Sequence, residues 1–154
     1  MEIMRAQAGD VEGWMTLVEA VREGFPGLET PKAMREHRLA VLEFIARGEA
    51  LCAREQGRVV GALLFSREAR MLCFLAVDPA WRRRHIAEGL LEAMLNCLPP
   101  EGPVTVTTYR AGVPEGIAAR AFYRKMGFEE GPLTEEFGAP VQEFVLTRPR
   151  VDAG

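Results

Sequence analysis

The sequence predicts one α/β (α+β) domain built on a mixed sheet with helices packed against it. Seven short strand-like runs and four segments of helical periodicity follow one another in the order β-α-α-β-β-β-α-β-α-β-β. The chain is 154 residues long, 48% hydrophobic and 27% charged, a size and balance suited to a single two- or three-layer core. No repeat, low-complexity tract or linker divides it, so residues 1–150 read as one domain and Val151 to Gly154 as a loose tail.

Glu2 to Ala6 opens as a strand. Asp10 is placed to cap a helix running to about Glu23, which Phe25-Pro26-Gly27 breaks. Thr30-Pro31 joins an N-cap to a proline at the first helical position, and Met34, Leu39, Leu42 and Ile45 mark a second helix ending near Gly48. Ala50 to Arg54 and Val59 to Phe65 flank Gln56-Gly57 as a hairpin. Met71 to Val77 is a compact apolar strand stopped by Pro79, which has no N–H to give to a ladder. From Ile86 the apolar positions Leu90, Ala93, Met94 and Cys97 recur at helical spacing until Pro99-Pro100. Val104 to Tyr109, rich in valine and threonine, favours extended structure. A helix from about Pro114 to Met126 ends on Gly127 as its C′ residue, Phe128 begins another strand, and Val141 to Leu146 closes the sheet.

The junction from Val77 to Ala87 carries the chemistry. A strand breaks there at a proline and a helix begins, so unpaired N–H groups and the positive end of the helix dipole meet at one point. That is an anion site, and Arg82, Arg83 and Arg84 add formal charge to it.

The wording of this junction resembles the acyl-CoA signature of the GNAT superfamily of N-acetyltransferases, a strand ending in V-x-P followed by R/Q-x-x-G-x-G/A. Arg82, His85 and Ala87 hold the three patterned positions. Ala119-Arg120-Ala121-Phe122-Tyr123-Arg124-Lys125-Met126-Gly127-Phe128 is similar to the later GNAT motif A-x-x-x-Y-x-K-x-G-F. The two blocks come in the family's order, about thirty residues apart, and the order of elements fits nearly the whole chain.

The resemblance implies a GNAT fold with a mostly antiparallel sheet, acetyl-CoA as cosubstrate without a metal, and acetyl transfer to a primary amine of a small molecule or peptide. It implies that Leu75, Ala76 and Val77 run beside the pantetheine, a backbone N–H among them holding the thioester carbonyl. Arg82, Arg83, Arg84, His85, Ile86 and Ala87 would surround the phosphates, with Ala119 and Phe122 beside the pantetheine. Tyr123 would be the catalytic group, bonded to the sulfur and protonating the departing thiolate.

Three departures from the pattern stand out. His85 replaces the usual glycine, which costs free energy if its φ is positive and nothing if the backbone is helical. Gly116 stands where asparagine is common, removing one polar cofactor contact. Arg70 to Ala76 carries no carboxylate to serve as general base; Glu68, Tyr109 and Glu115 are the remaining candidates, and His37 reads as an exposed polar residue. By resemblance the segment between the first two helices borders the acceptor pocket, so Trp14, Phe25 and Met34 either line it or pack in the core. Glu129, Glu130, Glu135, Glu136 and Glu143 are either solvated loop acids or a sink for a cationic amine.

A GNAT-like module that binds acyl-CoA without turnover is the alternative in a different class. A nucleic-acid-binding domain using Arg82 to Arg84 is disfavoured by a net charge of −3 and the lack of aromatic interleaving. Cys52, Cys73 and Cys97 sit in apolar runs without metal-like spacing and fit a reducing, cytoplasmic setting. No stretch approaches the ~20 apolar residues of a membrane span and no signal region is visible, so no membrane partner is expected. Monomer and homodimer both remain open.

Overall fold

The computed structural model describes residues 1–136 and 138–148, so the tail assigned to Val151 to Gly154 lies outside the described residues. Among the described residues seven strands form one sheet: β1 (Glu2–Arg5), β2 (Ala50–Glu55), β3 (Arg58–Ser66), β4 (Met71–Val77), β5 (Val104–Tyr109), β6 (Glu129–Glu136) and β7 (Ala139–Leu146), in the spatial order β1-β2-β3-β4-β5-β7-β6. Every neighbouring pair is antiparallel except β4 and β5. The element order and the mixed, mostly antiparallel sheet are those read from the sequence.

Helices cover both faces. α1 (Val11–Val21) and α2 (Pro31–Ala46) close one core with Ala50, Cys52, Ala62, Leu64, Phe74 and Ala76. α3 (Ile86–Asn96) and α4 (Ile117–Lys125) close the other with Leu51, Ala53, Leu63, Phe65, Leu72, Val106 and Phe144. The period-2 alternation of β2 and β3 sends successive side chains to opposite faces, which is why both strands read as continuous apolar runs.

One irregularity matters for everything that follows. Leu64 pairs with Phe74 and Phe65 with Leu72, which leaves Cys73 as an extra residue in β4. Leu72 and Phe74 would share a face in a regular strand; here Leu72 enters the α3–α4 core and Phe74 the α1–α2 core. The parallel pairing with β5 is confined to Met71↔Thr105 and Leu72↔Val106. Beyond the bulge the two strands separate.

Helix starts follow local chemistry. Thr30 Oγ1 accepts the Ala33 N–H at 3.0 Å, with Pro31 in the first turn, as expected. Asp10 holds the expected N-cap position of α1, but its side chain makes no capping hydrogen bond there, because the short 3-10 turn Ala8–Asp10 runs directly into the helix. Its carboxylate instead accepts the Gln7 N–H at 2.8 Å and an Arg54 N–H at 2.9 Å, tying the helix start to β2. The predicted end of α4 holds, with Gly127 at φ 97°.

α3 lies hard against the sheet at Gly61 of β3. A Cβ there would stand 2.8 Å from Ile86 Cγ2 and 2.9 Å from Leu90 Cδ1. Ile86 and Leu90 are themselves fully enclosed, so neither has room to yield. Gly61→Ala is expected to destabilise the fold by about 1–3 kcal/mol through overpacking, read as a lowered urea midpoint at unchanged slope.

Candidate active site

The divergence of β4 from β5 opens a cleft of about 830 Å³, within the range of small-molecule sites. Leu75, Ala76 and Val77 form its floor, α4 contributes Ala119, Phe122 and Tyr123, the loop into α3 contributes Arg82, Arg83 and His85, and the first turn of α3 contributes Ile86 and Ala87. The end of α1 and the segment after it, through Glu23 and Phe25, make the facing wall. All but one of the site residues read from the sequence therefore meet in one place. Arg84 is the exception: its guanidinium sits 4.5 Å from the centre of the Trp81 ring. Trp81 itself lines the cleft and carried no motif signal in the sequence.

The floor is polar along its backbone. The Asp78 N–H bonds back to Val60 O at 2.9 Å, which fixes the alternation of β4. Counting back from it, the N–H groups of Val77 and Leu75 are directed away from β3, toward the side where β5 no longer pairs. Asp78 Oδ1 accepts the Ala80 N–H at 2.9 Å and caps the short turn Pro79–Trp81 that leads to α3.

His85 adopts φ 60° and ψ 21° as the residue before α3, and Arg83 has φ 65°. The conditional cost attached to His85 is thus incurred, on the order of 1 kcal/mol for each of these left-handed residues. Such backbone curls successive N–H groups to one side and suits an anion. The imidazole leans away to Glu88, with Nδ1 and Oε2 3.3 Å apart, and is largely exposed. Glu88 would oppose an anion in the first turn of α3, but Lys125 Nζ donates to it at 2.9 Å. Lys125, with His85, holds that carboxyl below its usual range. Lys125 thereby joins the two helices that border the cleft.

Tyr123 is buried, its ring 5.5 Å from Phe122 and Phe128 and 6.2 Å from Phe144. Burial pushes its phenol well above the ordinary value, so it remains protonated throughout the neutral range. α4 is held in place by Arg120, which the sequence did not single out. Its guanidinium donates to Tyr109 O at 3.0 Å, Gln142 Oε1 at 2.8 Å and Glu130 Oε1 at 2.7 Å. Gly116 has a steric reason to be glycine, since a Cβ there would lie 2.5 Å from Tyr109 Cβ. An asparagine at this place would collide with that tyrosine.

A second cavity, of about 270 Å³, lies on the α1–α2 side of the sheet. Phe25 borders both spaces, and Cys73 and Phe74 of β4 link this one to Leu75 of the cleft. Trp14 and Met34 line neither: Trp14 is fully buried and Met34 packs on the α1–α2 core. His37 is not the solvent-facing residue expected. It accepts the Trp14 Nε1–H at Nε2 over 3.3 Å and packs 4.7 Å from the Phe74 ring. Of the three base candidates, Glu115 reaches the cleft, whereas Glu68 and Tyr109 line neither space.

Residues 46–130 match the model of the acetyltransferase (GNAT) domain, more than half of the chain. The chain belongs to the GNAT acetyltransferases. No curated protein matches it significantly. Among solved structures it is similar to a GNAT-family acetyltransferase from Bacillus cereus ATCC 10987, at TM-score 0.74 and 19% identity over 97% of this chain and 98% of that one. It is also similar to an N-acetyltransferase from Staphylococcus aureus Mu50, at TM-score 0.71 and 14% identity over 95% of this chain and 100% of that one. A third likeness is to Ard1 from Thermoplasma volcanium, at TM-score 0.70 and 17% identity over 94% and 95% of the two chains. At these identities the likenesses establish a shared fold. As a GNAT member the chain is an N-acetyltransferase, a family whose acyl donor is acetyl-CoA. Among the described residues no group of three or more His, Cys, Asp or Glu side chains is placed to hold a metal ion, and no helix is long and apolar enough to cross a membrane.

Desolvation lowers the His37 pKa from 6.5 to about 4. Between these values the unfolded chain binds a proton that the folded chain refuses, so stability is full above about pH 6.5 and declines as the pH falls toward 4. The decline should reach about 3 kcal/mol. His37→Gln, which keeps an acceptor for Trp14 and cannot titrate, should flatten the urea midpoint between pH 7 and 4.5.

Proposed function

We propose that this enzyme transfers acetyl from acetyl-CoA to a primary amine of a small molecule or peptide by direct attack on the thioester. The observation that carries this reading is the edge of β4 that β5 leaves unpaired, followed through the turn Pro79–Trp81 by the N-terminus of α3. Two backbone donors that β5 leaves unpaired, and a helix start suited to an anion, support it.

Acetyl-CoA supplies an acyl carbon activated as a thioester and a thiol as leaving group. The residues fit it. The N–H groups at the start of α3, with Arg82 and Arg83, suit the phosphates, while Ala119 leaves room for an extended arm beside β4. Remote binding of the phosphates would position the reacting carbon and lower the entropic barrier to attack. As the amine nitrogen bonds to that carbon, charge grows on the carbonyl oxygen, where the Leu75 or Val77 N–H can stabilise it. The C–S bond breaks, the Tyr123 hydroxyl gives its proton to the sulfur, and the surplus proton of the nitrogen passes to water. Tyr123 is then reprotonated from solvent.

Cys73, at the bulge, lines the second cavity and not the cleft, whose described lining residues include no cysteine for a covalent route. Its thiol is pushed up to about 11, chiefly by desolvation and then by Glu136, so it is almost wholly un-ionised at neutral pH. That favours direct transfer.

Acetyl-CoA at 100 times its dissociation constant should stabilise the fold by roughly 2.7 kcal/mol, seen as a raised thermal midpoint. His85→Gly should keep or strengthen this response, because it relieves the left-handed strain without removing a cofactor contact. An unmoved midpoint at millimolar acetyl-CoA would overturn the reading.

Tyr123→Phe retains the ring and its packing and removes only the proton donor. Turnover should drop roughly 100-fold with the acetyl-CoA dissociation constant nearly unchanged. Wild-type turnover across pH 6 to 9 would reduce Tyr123 to a packing residue.

A further inference from the structure

On the strength of the acetyl-transfer reading, we infer that the second cavity receives the acceptor and that this acceptor is an arylalkyl monoamine, one ammonium on a compact aromatic body. Phe25, Phe44 and Phe74, with Leu28, Leu64 and Val141, make the walls largely apolar and give them three aromatic rings. A 150 Å³ apolar cavity accommodates benzene, so a cavity of about 270 Å³ suits a ligand of about ten non-hydrogen atoms.

The polar groups are few and of one sign. Glu136 of β6 enters the cavity and is oriented by the Thr107 hydroxyl, which donates to Oε2 at 2.6 Å. Glu36 stands at the rim beside Lys32, 3.9 Å away. Among the described lining residues none is a lysine or arginine. The neighbouring cations are engaged elsewhere: Arg47 pairs with Glu49 and lies over the Phe44 ring, and Arg110 donates to Val141 O and Thr134 O. His37 stays neutral at physiological pH. A carboxylate on the ligand would face Glu136 with no counter-ion, which disfavours amino acids. Glu36, the other lining carboxylate, is exposed and beside Lys32, so the further ammonium groups of a polyamine drawn into the cavity would meet phenylalanine and leucine.

The location suits the reaction. Cys73 on the cavity wall and Leu75 on the cleft floor are two residues apart on one strand, about 7 Å. An ammonium held at Glu136 also finds a carboxylate through which its proton can leave to water, so the neutral amine forms beside the thioester carbonyl.

Calorimetric titration with 2-phenylethylamine, phenylalanine and spermidine, without acetyl-CoA, tests the site apart from catalysis. The arylalkylamine should bind at least about tenfold more tightly than the other two. Glu136→Gln, which can still accept the Thr107 hydrogen bond, should weaken it about tenfold or more, while Glu135→Gln on the exposed part of β6 leaves it unchanged. The thermal response of Glu136→Gln to acetyl-CoA should equal that of wild type, and kcat/KM for 2-phenylethylamine acetylation should fall with the affinity. Equal or tighter binding of phenylalanine or spermidine, no binding of 2-phenylethylamine at millimolar concentration, or indifference to Glu136→Gln would each overturn the inference with acetyl transfer still standing. A Glu136-dependent amine site in a chain that shows no response to acetyl-CoA would support the site and remove the transfer reading.

Discussion

An incomplete pairing governs this structure. A parallel pair of strands inside a sheet normally exchanges evenly spaced hydrogen bonds along its whole length, but β4 and β5 stay in register for only two residue pairs before the extra residue at Cys73. Backbone donors left open in this way demand partners, and inside a protein those partners are water or a ligand. The rest of the molecule is arranged around that demand. α3 is planted at the far end of β4 and pressed onto β3 at Gly61, α4 returns from β5 to form the opposite lip, and both helices cover the same face of the sheet. The bulge and the strand separation beyond it therefore open a groove along β4, which the loop into α3 and the segment after α1 wall in.

The cleft depends equally on charges that are kept quiet. Arg120 is buried on α4, yet three acceptors from β5, β6 and β7 satisfy it. Arg124 shares Glu130 with it. Glu88, an acid in the wrong place for an anion site, is neutralised by Lys125 from the facing helix. The residues that hold the frame are thus separate from the Arg82 and Arg83 side chains that face the groove, so the frame can persist while the groove's outer rim varies.

Much of this was legible from local chemistry. The strands and helices followed from period-2 and period-3.6 apolar spacing, from Pro79 and Pro99-Pro100 as stops, and from Thr30-Pro31 and Gly127 as caps, all signals contained within a few neighbouring residues. The cleft residues came with the two motifs because both lie at the ends of those elements. Residues joined only by tertiary contact were not legible. Glu136 and Thr107 are 29 positions apart, and Trp14 and His37 are 23. No spacing rule connects them. His37 read as a polar helix residue because the burial that sets its chemistry is imposed by Phe74 and Trp14 from other elements. The bulge was hidden for a similar reason: Met71 to Val77 is apolar throughout, and only its register against β3 reveals the surplus residue.

The two cavities share Phe25 and adjoin along the Cys73–Leu75 stretch of β4. On the proposed reading, donor and acceptor would occupy separate spaces that adjoin only there, so both can be bound at once. Initial-velocity plots should therefore intersect rather than run parallel, as expected for a ternary complex. Free CoA should compete with acetyl-CoA but not with the amine, so that the acceptor's concentration cannot relieve inhibition by the spent donor.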